Sequence, residues 1–166
     1  MRRQHAEACA TQSMQPGTNP RIVVLVGLPG SGKSTYVEKL GGTALSSDEI
    51  RRLLSDDPEN QTIHRRVFAI LRRLVKERLE LARPVTYIDA TNLTPRERRP
   101  YIKMAQLYGC GVEAVFFDVP ADECQRRNRA RARIVPDDVI REMAGRLIPP
   151  SVEEGFEKIT SLPGTS

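Results

Sequence analysis

The sequence predicts an α/β fold with a parallel sheet covered by helices on both faces. Short apolar runs alternate with longer segments of helical periodicity, such as residues 61–83 (QTIHRRVFAILRRLVKERLELAR). Parallel strands need such crossover connections, so strand–helix alternation favours a parallel sheet. The run IVVLV at residues 22–26 contains no polar residue, as expected of a strand buried on both faces.

The elements follow one another along the chain. Strands are predicted at residues 21–26, within 42–47, at 84–89 and 110–119, and, as a short last strand, within 155–162. Helices are predicted from 33 to about 40, from 48 to 54, and over 61–83, 94–109, 120–130 and 136–147. Thr94 is the predicted N-cap of its helix, with Pro95 at the first helical position and Gly109 as the stop.

Length and composition favour a single domain. We expect residues 1–20 to be a flexible leader and residues 21–166 to form the domain. No apolar run approaches the roughly 18 residues that cross a bilayer, and the basic N-terminus lacks the apolar core of a secretory signal. The expected location is therefore the cytoplasm, away from membranes, with Cys9, Cys110 and Cys124 reduced.

A phosphate-binding loop is predicted between the first strand and the first helix. The segment GLPGSGKST (27–35) contains the pattern G-x-x-x-x-G-K-[ST], which indicates an α/β fold of the P-loop NTPase type. Lys33 can reach the β- and γ-phosphates, and the Ser34 hydroxyl is placed to bind Mg²⁺. A tight turn with a surface lysine is the other interpretation. The predicted nucleotide-binding residues of the loop are Gly27, Pro29, Gly30, Ser31, Gly32, Lys33, Ser34 and Thr35.

Other P-loop classes fit the sequence less well than a phosphotransferase. Switch GTPases are expected to carry an N-K-x-D signature, which this sequence lacks. Motors and AAA-type machines are larger, and their third strand usually ends in a run of acidic residues. Here the third strand, VTYID, holds one aspartate. A single domain with arginine-rich segments late in the chain favours a kinase.

Four segments together resemble the kinase domain of the 5′-hydroxyl polynucleotide kinases, in particular the bacterial RNA-repair and phage T4 types. These segments are GLPGSGKST, SSDEIR, IDATNLTPRERR and FFDVPADECQRRNRAR, and the resemblance covers about residues 21–160. It implies a Mg²⁺- and ATP-dependent enzyme that phosphorylates the 5′-OH end of RNA or DNA. No D-x-D-G-T phosphatase motif is present, so either phosphatase and ligase steps are supplied by other chains or this sequence is the kinase domain of a longer protein.

The resemblance implies roles for five residues after the loop. Asp48 would be the general base that takes the proton of the attacking hydroxyl. Arg51, three residues further on the same helical face, could bind a substrate phosphate, although an ordinary capped helix with an exposed arginine is the alternative. Asp89 ends the third strand, where P-loop proteins place their Mg²⁺ carboxylate, and Thr91 and Asn92 would donate to an acceptor phosphate.

An arginine-rich segment resembles the lid of these kinases. Lid arginines close over the β- and γ-phosphates and stabilise developing charge. Arg127 and Arg131 match the family pattern best, with Arg131 catalytic and Arg127 nucleotide-binding. A solvated basic helix face is the other interpretation. The five arginines of the segment are Arg126, Arg127, Arg129, Arg131 and Arg133.

Two further functions remain open from the sequence. The first is a P-loop kinase that acts on a small hydroxyl-bearing metabolite or antibiotic, because it would keep the same loop, carboxylate and lid. The second is an NTP-responsive binding module without catalysis. Consumption of ATP in the presence of a hydroxyl acceptor separates the second function from both kinases. The segment RERR at residues 96–99 could contact a nucleic-acid backbone, but we expect it to be a solvated first helical turn.

Overall fold

Five parallel strands form one sheet in the computed structural model, which describes residues 19–164. The sheet order is β2-β3-β1-β4-β5. The strands are β1 (Arg21–Val26), β2 (Ala44–Ser46), β3 (Val85–Asp89), β4 (Gly111–Asp118) and β5 (Lys158–Pro163). The helices are α1 (Lys33–Lys39), α2 (Ser47–Ser55), α3 (His64–Glu80), α4 (Pro95–Tyr108), α5 (Ala121–Arg129) and α6 (Asp137–Arg146), with 3₁₀ turns at Gln61–Ile63 and Val152–Glu154.

Strand β1 lies at the centre of the sheet, between β3 and β4. Its Val24 pairs with Ile88 on one side and with Ala114 on the other. Successive side chains of a strand point to opposite faces, so an apolar run in a central strand serves two cores. This is why residues 22–26 are apolar without interruption.

Helices cover both faces of the sheet, which confirms the predicted fold class. One core packs β1 residues Ile22, Val24 and Val26 against apolar residues of α2, α3 and α4. The other packs Val23 and Leu25 against α1, α5 and α6. The helix residues of the first core include Ile50, Val67, Leu71, Val75, Leu79, Tyr101, Ile102 and Ala105, and those of the second are Val37, Cys124 and Ile140.

The predicted ends of α4 are confirmed. Thr94 accepts a hydrogen bond from the backbone N–H of Glu97, whose carboxylate accepts from the Thr94 N–H, and Pro95 occupies the first turn. The helix ends at Gly109, which adopts a φ of 60°. The predicted leader and the thiol of Cys9 lie outside the described residues, apart from Asn19 and Pro20, and the described cysteines Cys110 and Cys124 are unpaired thiols.

Arg98 is buried, which corrects the expectation of a fully solvated first turn in α4. Its side chain is 0% exposed and forms two hydrogen bonds with Glu154, of 2.9 and 2.6 Å. Its Nη1 also donates to the backbone carbonyls of Asn92, Leu93 and Ile148. The run RERR therefore contains one buried cation, Arg98, which connects the loop after β3 to the C-terminal segment.

The carboxyl ends of the strands gather the chemically interesting residues at one edge. The phosphate-binding loop follows β1, and Asp89 ends β3. Ser46 of β2 pairs with Asp89 across the sheet, so α2 begins beside the end of β3. In open α/β sheets this edge is where ligands bind. Among the described residues, no helix is both long and apolar enough to cross a membrane.

Candidate active site

The loop between β1 and α1 has the backbone that a phosphate cradle needs. Gly30 and Gly32 adopt φ values of 83° and 99°, which L-residues with a side chain rarely tolerate. A Cβ on Gly30 would lie 2.5 Å from the carbonyl oxygen of Cys124, so the loop packs tightly against α5. Gly32 is the N-cap of α1 and supplies no capping side chain. The first backbone N–H groups of α1 are therefore available to an anion.

Lys33 folds back into the loop. Its Nζ donates to the carbonyl oxygens of Gly27 (3.0 Å) and Leu28 (2.8 Å) and to Ser31 Oγ (3.4 Å). Burial lowers the pKa of Lys33 to about 8, while the negative charges of Asp89 and Asp48 act in the opposite direction. The ammonium group is thus buried among backbone carbonyl oxygens and the Ser31 hydroxyl, and two carboxylates are near enough to raise its pKa.

Ser34 and Asp89 are brought into direct contact. The Ser34 hydroxyl donates to Asp89 Oδ2 at 2.7 Å, although the two residues lie 55 positions apart. A hydroxyl and a carboxylate are the hard oxygen donors that Mg²⁺ prefers. Among residues 19–164, no cluster of three His, Cys, Asp or Glu side chains could hold a metal. The Ser34–Asp89 pair therefore suits an ion that takes its other ligands from phosphate and water.

Asp48 is held between two arginines. Ser46 is the N-cap of α2, so the Asp48 carboxylate is not engaged in capping. Its Oδ1 accepts from Arg51 at 3.0 Å, and its Oδ2 pairs with Arg133 at 2.9 Å. The Asp48 side chain is 53% exposed, whereas that of Arg51 is 4% exposed.

Arg51 is not the exposed arginine of an ordinary helix. Its Nη1 binds Asp48, but its Nε is buried and has no hydrogen-bond partner among the described residues. An unsatisfied donor on a buried guanidinium is costly, and such a group calls for an explanation such as stored strain, a catalytic role or a bound water or ion.

The loop after β3 is tied to the phosphate-binding loop. The backbone N–H of Gly27 donates to the Thr91 carbonyl at 3.1 Å. The Asn92 amide donates to the carbonyls of Leu25 (2.7 Å) and Ala90 (3.2 Å), and the residue is 2% exposed with a φ of 49°. This arrangement differs from the predicted one, because the Asn92 amide is engaged inside the protein. Asn92 fixes the loop, whereas Thr91 remains half-buried near its surface.

The lid lies between α5 and α6 and is anchored at both ends. The Asn128 side chain donates to the Val135 carbonyl (2.6 Å) and accepts from the Val135 N–H (3.1 Å). Gln125 donates to the Asp137 carbonyl, and Arg129 pairs with the Asp137 carboxylate. The residues between these anchors form a short, defined loop.

The lid arginines divide into separate groups. Arg127 and Arg131 line a cavity of about 530 Å³ together with residues 30–35 of the phosphate-binding loop. Arg126 is exposed and pairs with Glu123, which also binds Arg127. These two arginines lower the pKa of Glu123 to about 2 by hydrogen bonding. Arg133 does not line the cavity and contacts Asp48 instead.

The far wall of the cavity comes from residues that the sequence did not single out as ligand contacts. Phe117 lies in the last part of β4 and Val119 follows that strand, while Leu162 and Pro163 end β5. Tyr36 packs edge-on against Phe117 with ring centroids 5.6 Å apart. Lys39 lies beside them. The parallel pairing of β4 with β5 brings these strand ends together. In the sequence, the change from an apolar strand to a polar turn was the feature that could have indicated a ligand site at these strand ends.

The structure thus groups the predicted residues in two neighbouring places. Residues 30–35, Arg127 and Arg131 share the cavity, and Arg131 lies close enough to lower the pKa of Lys33. Asp48 and Arg51 form a second group with Arg133, and the charge of Asp48 also reaches Lys33. Cavity and carboxylate are the two parts that a phosphotransfer site requires.

Sequence comparison places the chain among known proteins. Residues 22–150 match the family model described as AAA domain. The chain is 28% identical over 148 residues to the bifunctional polynucleotide phosphatase/kinase of Schizosaccharomyces pombe, which covers 86% of this chain and 33% of that protein. This similarity confirms the predicted resemblance to polynucleotide kinases.

Solved structures share the fold. A chain of the Pnkp1/Rnl/Hen1 RNA repair complex superposes with a TM-score of 0.64 at 23% identity, covering 79% of this chain and 45% of its own. A sugar kinase from Janibacter sp. HTCC2649 gives a TM-score of 0.63 at 19% identity, covering 87% and 85%.

The chain spans about a third of the S. pombe protein and less than half of the repair-complex chain. Its own phosphate-binding loop, parallel sheet and arginine lid are those of a P-loop kinase, a nucleotide-using enzyme. With more than half of its length matched, the chain belongs to the AAA domain family, as a P-loop kinase domain.

Proposed function

We propose that this protein transfers the γ-phosphate of ATP to the 5′-OH end of RNA or DNA. The observation that carries the proposal is the position of Asp48. Its carboxylate lies at the start of α2, bound to the buried Arg51, and near enough to Lys33 to raise that residue's pKa. A carboxylate next to a phosphate-binding lysine and a buried guanidinium suits an acceptor that carries both a hydroxyl and an anionic group.

The donor half of the site is the cavity at the phosphate-binding loop. Lys33 and the backbone N–H groups at the start of α1 bind the β- and γ-phosphates. Arg127 and Arg131 face the same cavity from the lid and neutralise charge on the transferred group. Most of the rate enhancement of phosphoryl transfer comes from such positioning and electrostatics.

Ser34 and Asp89 fit a Mg²⁺ ion. Their oxygens lie 2.7 Å apart, and one is a carboxylate oxygen of a side chain that is 9% exposed. When bound there, Mg²⁺ would supply positive charge that neutralises phosphate oxygens. Asp89 accepts the hydrogen bond of the Ser34 hydroxyl, which holds the two oxygens side by side.

The acceptor half of the site is the Asp48–Arg51 pair. Asp48 accepts the proton of the acceptor hydroxyl as the oxygen bonds to the γ-phosphorus, and the bond between the γ-phosphorus and the β–γ bridging oxygen breaks to release ADP. Arg51 offers a guanidinium to a phosphate of the acceptor strand. In a polynucleotide the first phosphodiester lies one sugar away from the 5′-OH, so the hydroxyl and the anion arrive together.

A small-molecule kinase is the second candidate, and one observation favours it. The sugar kinase fold matches most of both chains, with a TM-score within 0.01 of that of the repair-complex chain (0.63 against 0.64). In this case Arg51 would bind an acid group on a sugar or a similar metabolite. The two candidates share donor chemistry and differ in the acceptor alone.

The experiment that tests the proposal follows labelled γ-phosphate from ATP to short 5′-OH RNA and DNA oligonucleotides with Mg²⁺. Wild type is compared with Lys33→Ala and Asp48→Asn. Matched controls are Lys103→Ala, on the exposed face of α4, and Glu49→Gln, whose carboxylate neighbours Asp48 but pairs with Arg52.

We expect labelled 5′ ends with wild type and both controls, and a loss of at least about 100-fold with both site variants. Slow, Lys33-dependent ATP turnover without labelled ends would contradict the polynucleotide proposal and favour a small acceptor. In that event, panels of sugars, nucleosides and aminoglycosides replace the oligonucleotides.

A further inference from the structure

Arg133 stands apart from the other lid arginines. Arg127 and Arg131 face the donor cavity, whereas Arg133 places its Nη1 2.9 Å from Asp48 Oδ2. The Arg133 side chain is 27% exposed, less than the 66% of Arg129 and the 73% of Arg126 in the same segment. Arg133 is therefore directed into the acceptor half of the site.

The three-residue cluster of Asp48, Arg51 and Arg133 carries an excess positive charge. Two guanidinium groups face one carboxylate, one at each carboxylate oxygen. In addition, the buried Nε of Arg51 has no hydrogen-bond partner among the described residues. A cluster with surplus charge and an unfilled buried donor is arranged to receive an anion.

The same cluster obstructs Asp48 as a base. With guanidinium groups at both oxygens, the carboxylate is engaged in ion pairs before any acceptor arrives. An acceptor anion that takes over Arg133 would release Oδ2 to face the acceptor hydroxyl. The contacts Asn128–Val135 and Arg129–Asp137 anchor the ends of the lid loop, so the exchange calls for movement of the Arg133 side chain and not of the loop ends.

Resting on the proposed function, we propose that Arg133 is an acceptor-binding residue that leaves Asp48 for the phosphate next to the 5′-terminal nucleoside. Acceptor binding and the release of the general base are then one event. An uncharged linkage at that position leaves Arg133 on Asp48 and slows transfer. Arg131 serves the donor, and Arg133 serves the acceptor.

The test combines one protein change with one substrate change. The acceptors are two 5′-OH dinucleotides of equal sequence, one with a phosphodiester and one with an uncharged methylphosphonate linkage. The proteins are wild type, Arg133→Gln, Arg133→Lys and the control Arg126→Gln, which removes an exposed lid charge that pairs with Glu123. The readouts are kcat/KM for each acceptor at saturating ATP, and KM for ATP.

We expect Arg133→Gln to lower kcat/KM for the phosphodiester about 10- to 100-fold, the effect of losing one charged hydrogen bond. The KM for ATP stays within about twofold, and Arg133→Lys gives an intermediate loss because it keeps the charge without the planar fork. In wild type, kcat/KM should be much lower for the methylphosphonate than for the phosphodiester. This difference should be several-fold smaller in Arg133→Gln, because both changes remove the same contact between Arg133 and the acceptor phosphate.

Three results would overturn the inference. One is an equal loss of kcat/KM with the methylphosphonate acceptor in wild type and in Arg133→Gln, which would mean that the substitution and the loss of the acceptor charge act independently. Another is a change confined to the KM for ATP, which assigns Arg133 to the donor. The third is no effect of Arg133→Gln beyond that of Arg126→Gln, as expected of an ordinary surface ion pair. Failure of wild type to phosphorylate any oligonucleotide instead contradicts the proposed function itself.

Discussion

The Ser34 hydroxyl donates a 2.7 Å hydrogen bond to Asp89 Oδ2, which joins the first turn of α1 to the end of β3. The contact connects two sequence motifs that lie 55 residues apart. It depends on the pairing of β1 with β3, which brings the residues that follow both strands to one edge of the sheet. The geometry of the candidate metal site is therefore a consequence of strand order.

The first prediction concerns the Mg²⁺ requirement. Ser34→Ala and Asp89→Asn should each raise the Mg²⁺ concentration for half-maximal kinase activity, and each should lower kcat about tenfold or more. The double variant should be less impaired than the product of the single effects, because both residues act on one ion. Mg²⁺ titrations of the three variants check this. Fully multiplicative losses would show that the two residues act separately.

The second prediction concerns the contact between Gly30 and α5. Gly30→Ala places a Cβ 2.5 Å from the Cys124 carbonyl and must also adopt a φ of 83°, so we expect a loss of about 2 kcal/mol or more in unfolding free energy and weaker ADP binding. Within residues 19–164 a Cβ on Gly32 meets no atom within 4 Å, so Gly32→Ala should lose only about 1 kcal/mol in unfolding free energy, from its positive φ.

Gly145→Ala is the matched control for these loop variants. Gly145 lies in α6 without a positive φ, and in the part of the chain that the structure describes a Cβ there meets no atom within 4 Å. Because alanine is the better helix former, this variant should gain about 0.5–1 kcal/mol. Urea unfolding of all three variants gives the comparison. Equal effects of Gly30→Ala and Gly32→Ala would mean that the contact with α5 adds no strain.

The local features of the site could be predicted from the sequence because each depends on residues that are close together in the chain. The phosphate-binding loop, the α4 capping box and the alternation of strands and helices are all of this kind. Lys33 is close to its backbone partners for the same reason. Short-range chemistry is therefore readable without the fold.

Long-range contacts could not be predicted in the same way. A run of four charged residues resembles a solvated turn, yet Arg98 is buried because Glu154, 56 residues later, neutralises it inside. Leu162 and Pro163 reach the cavity only through the pairing of β4 with β5. Arg133 gave no local sign that it contacts Asp48. In each case the contacting residue is distant in the sequence, and the spacing of neighbouring residues does not specify how the intervening elements are arranged.

The third prediction concerns the buried Arg98–Glu154 pair. Arg98→Met removes the cation that pairs with Glu154, whose side chain is only 12% exposed, and removes one donor from each of three backbone carbonyls, so we expect a loss of about 3–5 kcal/mol in unfolding free energy. The control Arg99→Met, at an exposed position of the same turn, should stay within about 0.5 kcal/mol. Denaturant unfolding measures both. A small effect of Arg98→Met would mean that the pair is replaceable by apolar packing.

The fourth prediction concerns the proton on Lys33. Burial lowers the pKa of Lys33 to about 8 in the ligand-free protein, so the amine is increasingly neutral above pH 8. A bound diphosphate favours the charged form and raises this pKa. ADP binding should therefore take up little proton at pH 7 and a growing fraction of one proton towards pH 9, where the phosphates of ADP are already ionised.

Titration calorimetry without divalent metal, in two buffers of different ionisation enthalpy, measures this uptake directly. In wild type the apparent ADP affinity should fall as pH rises above 8, because binding must then recharge a neutral amine. Lys33→Met should bind ADP more weakly at every pH and should lose the uptake, since no titrating amine remains in the loop. Uptake that persists in Lys33→Met would assign the proton to another group.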